Sequence, residues 1–535
     1  MNAGELLAHY ERVADAPDSV ARLRRFVLDL AVRGKLVEQD PADEPASELL
    51  RRIADEKARL VKAGEIRKPK RLTPLSLDQL AFPLPRSWNW AQLGEVTTKL
   101  TDGSHNPPPN SGSGYPMLSS RNVLDGFVDF ESPTRFLTAE QMEEEDKRTK
   151  ACSGDVLLTI VGTIGRSAVV PENAPRFALQ RSVAVITPLI NADYLSLVLR
   201  SPVAHEYFLE YGKGTAQKGI YLKKLANLPL PFPSLAEQHR IVAKVDELMA
   251  LCDRLEAARE AREATRDRLT AASLARLNAP DPDPSTFANH ARLALDNLDP
   301  LTTRPDQIKQ LRQTILNLAV RGKLSDEPGG AMAKVGDYRK LQNGYAFKSG
   351  WFSKSGIRLL RNANVGHGSI LWNDVAYLPE DRVPEFERFL LAEGDIVLTL
   401  DRPFIVSGTK VARVTSDDLP SLLLQRVGRF VEIRTGLSEE YLFNWINSPH
   451  FNEQIDPGRS NGVPHISSKQ VEAAEMFVPS LAEQRRIVAK VDELMALCDR
   501  LEAALAEADT TRQHLLEALL HEALAPGARE LEAAE

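Results

Sequence analysis

A stretch of 26 residues occurs twice in this chain. PSLAEQHRIVAKVDELMALCDRLEAA runs from Pro233 to Ala258 and returns as PSLAEQRRIVAKVDELMALCDRLEAA from Pro479 to Ala504, His239 against Arg485 being the single difference. A second pair, LRRFVLDLAVRGKL at 23–36 and LRQTILNLAVRGKL at 311–324, agrees at ten of 14 positions. Self-similarity of this kind means a duplicated structural unit. The two offsets differ, 246 for the first pair and 288 for the second, so the first copy carries an insertion, residues 37–84. In order the chain reads helix, globular segment, helix pair, globular segment, helix, with the first and last helices placed to pair as the central two do.

The repeated helix is legible residue by residue. Ser234 and Ser480 precede Leu-Ala-Glu, with Glu237 and Glu483 three residues on, the pattern of a capping box. Ile241, Val245, Leu248, Cys252 and Leu255 alternate spacings of four and three, as do Ile487, Val491, Leu494, Cys498 and Leu501, the a/d seam of a coiled coil. One such stripe is ordinary core; two near-identical copies point to a shared or symmetric partner. Helical character runs from Leu235 to about Leu277, a rod of roughly 64 Å at 1.5 Å per residue. Gly34 and Gly322, in the two RGKL segments, sit where a glycine closes a helix.

Composition bounds the rest. At 535 residues the chain exceeds one core. Its 43% apolar and 26% charged residues are those of a soluble protein, with no apolar run near the roughly 18 residues of a membrane span. The mixed, acidic start MNAGELLAHYERVADAPDSV lacks a signal-peptide pattern, so a cytoplasmic protein is expected. Three cysteines, Cys152, Cys252 and Cys498, form no CxxC or Cys/His cluster, which argues against a disulfide framework or a metal site; Cys252 and Cys498 read as small buried apolar residues. Net charge is −7, with 15 basic and 15 acidic residues in 86–233 and 17 and 18 in 334–479. Neither segment would bind nucleic acid by bulk charge, so local Arg/Lys clusters would have to do it. The strongly basic stretch is 51–71, with nine basic and three acidic residues, read as a solvated helix and linker ahead of a phosphate contact.

The globular segments, 85–233 and 333–479, differ over most of their length but share landmarks in order. Gly114-Tyr-Pro-Met-Leu-Ser-Ser-Arg-Asn-Val123 corresponds to Gly356-Ile-Arg-Leu-Leu-Arg-Asn-Ala-Asn-Val365. Gly154-Asp-Val-Leu-Leu-Thr159 corresponds to Gly394-Asp-Ile-Val-Leu-Thr399, and Leu179-Gln-Arg181 to Leu424-Gln-Arg426. Gly-Asp followed by an apolar run reads as a turn entering a buried strand, and AVVP and VARV read as later strands. Trp88 and Trp90 read as core.

This layout resembles the specificity subunits of Type I restriction-modification systems. PSLAEQ-x-RIV-x-K-V-D-x-L, the RGKL helix end and the GD-(V/I)-L-x-T strands all look like that family, and the resemblance covers nearly the whole chain. It implies an α+β protein in which two β-rich target-recognition domains are separated by long antiparallel coiled-coil helices, with an internal pseudo-two-fold repeat. The expected domains are 1–84, N-terminal helical region with the basic insertion; 85–233, first target-recognition domain; 234–332, central helical region; 333–479, second target-recognition domain; and 480–535, C-terminal helix. It further implies that each domain reads one half of a bipartite DNA site and that the helices set the spacing. A rod of that length spans the roughly 34 Å between successive major-groove faces. Implied partners are double-stranded DNA, two modification subunits that carry S-adenosylmethionine and methylate adenine, and ATP-driven restriction subunits with Mg; no cofactor is expected on this chain.

The motifs of catalysis are incomplete. His105-Asn-Pro-Pro-Pro109 has proline where the Asn-Pro-Pro-aromatic motif of amino-methyltransferases has a ring to stack on a flipped base, and no Gly-rich cofactor fingerprint follows a strand. Glu145-Asp-Lys147 lacks the upstream partner of a nuclease site. No Gly-Lys-Ser/Thr phosphate cradle occurs. A fused restriction-methylation enzyme and a stand-alone regulator are the competing readings: the first would methylate DNA without a partner, the second would not copurify with a methyltransferase.

Direct readout calls for Arg or Lys toward guanine and Asn or Gln toward adenine, with phosphate contacts nearby. The candidates in the first domain are His105, Asn106, Arg121, Asn122, Thr163, Arg166 and Arg181, with Lys213, Lys218, Tyr221 and Lys223. In the second they are Tyr345, Lys348, Arg361, Asn362, Asn364, Arg402, Lys410, Arg426, Arg459, Asn461 and His465. Gln180 and Gln425, at one shared landmark, are read as serving local backbone instead, because readers of different sequences should differ where they touch bases. That difference implies unlike half-sites and a target that is not a palindrome.

Overall fold

A computed structural model describes residues 15–76, 80, 82–133, 135–212, 218–279, 283–325, 329–456, 458–460 and 463–524. The chain divides into two compact units, one made of residues 1–260 and 511–535, the other of 261–510. The division cuts through both long helices, Leu235–Asn278 and Leu481–Leu524, so each unit holds the first part of one and the last part of the other.

In the first unit a short helix, Ser19–Val32, packs along the first long helix. Arg24 pairs with Asp253 and Glu256 at 2.7 Å each, while Arg259 donates to the Ala16 carbonyl, so the two run antiparallel. The end of the second long helix joins them: Leu516 and Leu519 bury against Ala16, Arg22 lies 3.7 Å from Glu517, and Lys35 donates to the Leu524 carbonyl. The expected pairing of first and last helices is thus present, and the two long-helix segments are antiparallel to each other.

The second unit repeats the plan. Its short helix, Pro305–Val320, places Arg312 at 2.7 Å from Asp499 and 3.0 Å from Glu502. Arg304 pairs with Glu263 at 3.0 Å and Asn317 donates to the Asn278 side chain at 2.7 Å, which ties in the end of the first long helix. Both short helices close as their sequence asks: Gly34 and Gly322 have φ of 68° and 69°, and Lys35 and Lys323 donate back to Leu30 and Leu318 carbonyls.

The apolar stripe of each long helix is consumed inside its own unit. Ile241 and Val245 join the core that contains Val27, Leu28, Ala31 and Val32, and Ile487, Val491 and Cys498 join Ile308, Ile315, Leu316 and Ala319. Cys252 is buried as well, and Leu248, Leu255, Leu494 and Leu501 are half-buried. Within each unit the stripe therefore packs with the short repeated helix, Leu248, Leu255, Leu494 and Leu501 keeping part of their surface open.

The globular domains share one topology despite their unlike sequences. In the first domain β1 (Asn89–Gln92) pairs with β9 (Pro229–Phe232). A four-stranded sheet runs β2 (Thr97–Asp102), β8 (Val183–Pro188), β5 (Val156–Thr159), β6 (Ser167–Val169). A three-stranded sheet runs β4 (Arg135–Leu137), β3 (Tyr115–Leu118), β7 (Ala178–Leu179). The second domain matches strand for strand: β10 (Gly330–Lys334) with β18 (Glu475–Pro479); β11 (Arg339–Asn343), β17 (Val427–Glu432), β14 (Ile396–Thr399), β15 (Val411–Arg413); and β13 (Ala376–Leu378), β12 (Ile357–Leu360), β16 (Ser421–Leu423). The Gly-Asp landmarks do lead into strands whose every residue is buried, β5 and β14. Trp88 is buried, and Trp90 is half-buried against Phe82.

The repeated PSLAEQ is the joint between domain and long helix. Ser234 Oγ accepts from Glu237 N at 3.0 Å and Ser480 Oγ from Glu483 N at 3.3 Å, half of each capping box. The Glu237 side chain instead receives Gln39 of the insertion, and burial pushes its carboxyl above the ordinary value. Gln238 and Gln484, both fully buried, reach across to a helix of the globular domain: Gln238 accepts from Asn191 N at 3.1 Å and Gln484 from Ser438 N at 2.8 Å. Asn191 and Ser438 are the N-caps of the helices Ala192–Arg200 and Glu439–Ile446. From these helices Tyr194 and Tyr441 donate to the carbonyls of Pro231 and Phe477. The one difference within the repeat sits at this joint: His239 Nδ1 lies 3.0 Å from the Asn191 amide, and Ser438 offers no amide to Arg485.

Candidate nucleic-acid interface

In the first domain β8 lies antiparallel between β2 and β5, so the end of β2, the end of β5 and the turn entering β8 meet at one sheet edge. The bridge between Val161 and Gly219 draws the segment before the short helix Leu222–Leu225 to the same place. The result is an open cleft of about 670 Å³ with Ile160, Val161 and Ile220 as its apolar floor. Asp102, His105, Arg148, Arg181, Tyr221 and Lys223 stand around it.

Four of the candidates named from residue type therefore converge, His105, Arg181, Tyr221 and Lys223, although 118 residues separate the first from the last. Arg148 joins them unforeseen. Asp102 organises the wall: its carboxylate lies 2.7 Å from His105 Nε2 and accepts from Arg148 Nη2 at 2.5 Å, while Arg148 Nε donates to the Asp102 carbonyl. A carboxylate facing DNA would repel phosphate; neutralised by an arginine it fixes two donors in place. Tyr221, 68% exposed, offers a ring and a hydroxyl. Arg148, Arg181 and Lys223 outnumber the single carboxylate among the lining residues, so the cleft is net positive and suited to an anionic ligand.

At the same edge of the second domain, Asp401 forms a bridge with His465, and Arg402 N donates to the Pro464 carbonyl as Gly162 N does to that of Lys218. His465 Nδ1 is 2.7 Å from Asp401 Oδ1 and Arg426 Nε is 3.7 Å from Asp401 Oδ2. Each domain thus carries an aspartate with a histidine and an arginine at this edge, assembled from different strands.

Other candidates are placed in loops or committed elsewhere. Asn106, Arg121, Thr163 and Lys218 are exposed, and Arg166 is half-buried. Asn122 and Asn364, at matching landmarks, are buried with their amides spent on backbone: Asn122 accepts from Ser119 N and donates to Ser132 O, and Asn364 accepts from Arg361 N and donates to Leu371 and Asp374 carbonyls. They hold a turn and have no edge left for a base. Tyr345 belongs to an aromatic cluster with Phe347, Phe386 and Phe389 at 4.8 to 5.5 Å between ring centres. Lys348 lies over Trp351, and Arg361 pairs with Asp374 at 2.8 Å. Lys410 donates to the Asn362 carbonyl, and burial, with Arg402 nearby, lowers its ammonium below the ordinary value. Lys213 and Asn461 lie outside the described residues, as does the side chain of Arg459, whose backbone pairs with Pro464.

The strand register also corrects one landmark. β3 pairs Leu118 with Leu179, and β12 pairs Leu360 with Leu423. Leu118 and Leu360 are equivalent, so Leu179 matches Leu423, and the two LQR triplets are offset by one. Gln180 matches Leu424, Arg181 matches Gln425 and Ser182 matches Arg426. Backbone bonds agree: Arg181 N donates to Ser104 O and Gln425 N to Tyr345 O, and Val183 N and Val427 N close equivalent turns on Gln180 O and Leu424 O. Gln180 and Gln425 therefore do not share a position, and that ground for reading both as backbone partners falls.

No helix among the described residues is long and apolar enough to cross a membrane. Residues 85–263 match the Type I restriction modification DNA specificity domain. The chain is 36% identical to the Type I restriction enzyme EcoAI specificity subunit of Escherichia coli, and 29% identical to the EcoEI specificity subunit of the same organism, each over 94% of both chains. Among solved structures it is similar to the HsdS subunit from Thermoanaerobacter tengcongensis, with TM-score 0.43 and 19% identity over 83% of this chain and 98% of that one. The duplicated helices, the twice-built domain and near full-length identity to a curated relative place this chain in the family of Type I restriction-modification specificity subunits.

Proposed function

We propose that each target-recognition domain binds one half of an asymmetric, bipartite DNA site, and that the paired helices hold the two readers at a set spacing. On this reading the chain performs no catalysis. Two modification subunits carrying S-adenosylmethionine dock on its helices and methylate the N6 of an adenine in each half-site, and ATP- and Mg-dependent restriction subunits join them. The single observation behind it is one fold built twice with a different set of side chains around the same sheet edge: Asp102, His105, Arg148 and Arg181 in one, Asp401, Arg402, Arg426 and His465 in the other. A framework kept constant while its rim changes suits two readers of different words.

The test is to map methylated adenines genome-wide with and without the gene. A two-part, non-palindromic motif should vanish on deletion; a motif that persists removes the reading. Inserting seven residues into both long helices keeps the apolar stripe in phase and adds roughly 10 Å, about three base pairs of DNA. The gap between half-sites should widen while their letters stay the same, and a change of letters instead would remove the ruler.

A further inference from the structure

We infer that Arg181 and Gln425 are equivalent base-reading positions, and that the first domain reads a guanine where the second reads an adenine. This rests on the DNA-reading function proposed above and deepens it.

The register carries the inference. Both residues follow the last strand of the three-stranded sheet by the same count, and both backbone amides donate to the residue just past a closely packed glycine, Ser104 after Gly103 and Tyr345 after Gly344. A Cβ on Gly103 would meet the carbonyls of Leu179 and Gln180 at 2.1 and 2.4 Å, and one on Gly344 those of Leu423 and Leu424 at 2.6 and 2.3 Å, so the same two equivalent carbonyls crowd both glycines. Each residue is the second of a four-residue turn, 180–183 and 424–427, closed by the same backbone bond. In the common turn types this position has the same φ near −60°, whereas the third position varies. Arg426, at that third position, has φ of 73°, and Ser182 is not among the left-handed residues. On that turn geometry the two Cβ atoms leave the chain in the same direction at the second position, although ψ there and the peptide that follows differ between the two turns.

Both side chains are exposed, and Arg181 stands on the wall of the cleft. Arginine presents two parallel donors that match O6 and N7 of guanine; glutamine presents a donor and an acceptor that match N7 and N6 of adenine. The framework around them is shared, and the chemistry changes at this point from one purine code to the other.

The experiment maps the methylated motif in cells carrying the parent chain, R181Q or Q425R, all full length, with thermal melting of each purified protein as a check on folding. In R181Q one guanine of one half-site should become adenine or lose definition, with duplex competition at that letter shifting by about tenfold to a hundredfold, while the other half-site and the gap stay as they were. In Q425R the opposite half-site should change, adenine toward guanine. Unchanged letters in both variants, simultaneous change of both half-sites, or loss of all methylation by variants that melt like the parent would overturn the assignment. A parent chain that leaves no bipartite motif would instead overturn the function on which it rests.

Discussion

The two target-recognition domains share a set of framework residues and differ at the positions that line the open edge. Asn122 and Asn364 hold the same turn, Gly103 and Gly344 the same close approach, Tyr194 and Tyr441 the same strand carbonyl, and Gln238 and Gln484 the same helix cap. At the edge, Val161 is replaced by Asp401, Gly162 by Arg402, Gly219 by His465, Arg181 by Gln425 and Ser182 by Arg426. The domains also obtain their cationic character differently. The first draws Arg148 from a remote helix end onto Asp102, whereas the second places Arg402 and Arg426 in the edge turns themselves, at φ of 48° and 73°. Left-handed backbone is costly for a residue with a side chain and persists where the surroundings enforce it, characteristically at functional sites. The framework tolerates either solution because it is tied down from behind, by buried bonds that do not involve the edge.

Those ties should show the largest energetic effect. Gln484 makes three bonds, accepting from Ser438 N and donating to the Gly436 and Pro479 carbonyls; Gln238 makes two, with Asn191 N and Pro233 O. Truncation leaves buried backbone groups unpaired, at about 1 to 3 kcal/mol for each group that water cannot reach. On that scale Q484A should lose at least about 3 kcal/mol and Q238A at least about 2 kcal/mol, read by denaturant unfolding of the full chain. If Q238A proves the more damaging, the joint is not equivalent in the two units. Loss below about 0.5 kcal/mol in both would mean that water replaces the amide and the joint is looser than its bonds imply.

The duplicated helices and their caps are legible in the sequence because local rules suffice: a serine before a helix, a period of 3.5 residues, a glycine after the last turn. The stripe from Ile241 to Leu255 is correctly read as apolar, but its partner is not legible, since periodicity records that a face is buried and not against what. The cleft is legible in part. His105, Arg181, Tyr221 and Lys223 stand out by residue type, and the sheet brings them together. Arg148 escapes notice because it sits in the charged run Glu143–Lys150, which reads as a solvated face until Asp102 is seen 46 residues away. Asn122 and Asn364 mislead for the opposite reason: an amide that could read adenine serves equally well to close a turn, and only burial separates the two. The LQR triplets mislead by one residue because letters align without regard to pleat, while strand register is set by the neighbours across the sheet.

A smaller effect should separate the edge turns. Glycine at Arg426 relieves a left-handed backbone worth about 1 to 3 kcal/mol against an entropy cost of roughly 0.5 to 1 kcal/mol, so R426G should raise stability by about 1 kcal/mol while weakening DNA binding through loss of the guanidinium beside Asp401 and His465. S182G has no such strain to relieve and also loses the hydroxyl that accepts from Ser120 N at 3.0 Å, so it should lower stability by about 1 to 2 kcal/mol. The two substitutions at one structural position should therefore move stability in opposite directions. If both lower it, the φ of Arg426 stores no strain, and the second domain's edge differs from the first in side chains alone.

The smallest effect should come from the feature that repeats most faithfully. Arg24 reaches Asp253 and Glu256, and Arg312 reaches Asp499 and Glu502, each arginine touching two acids three residues apart on the long helix. The carboxylates are largely exposed, at 71% for both Asp253 and Asp499, so water screens the pairs and each arginine contributes about 0.5 to 1 kcal/mol. R24A and R312A should cost the same to within about 0.5 kcal/mol, and the double variant the sum of the two, because the sites share no partner. Both losses should shrink in roughly 1 M salt, where screening acts over about 3 Å. Unequal losses, or either one above about 2 kcal/mol, would show that one pair does more than an exposed pair can. Equal, small losses leave alignment as the reason for the repeat: a two-pronged contact of little energy still fixes the rotation of the short helix on the long one.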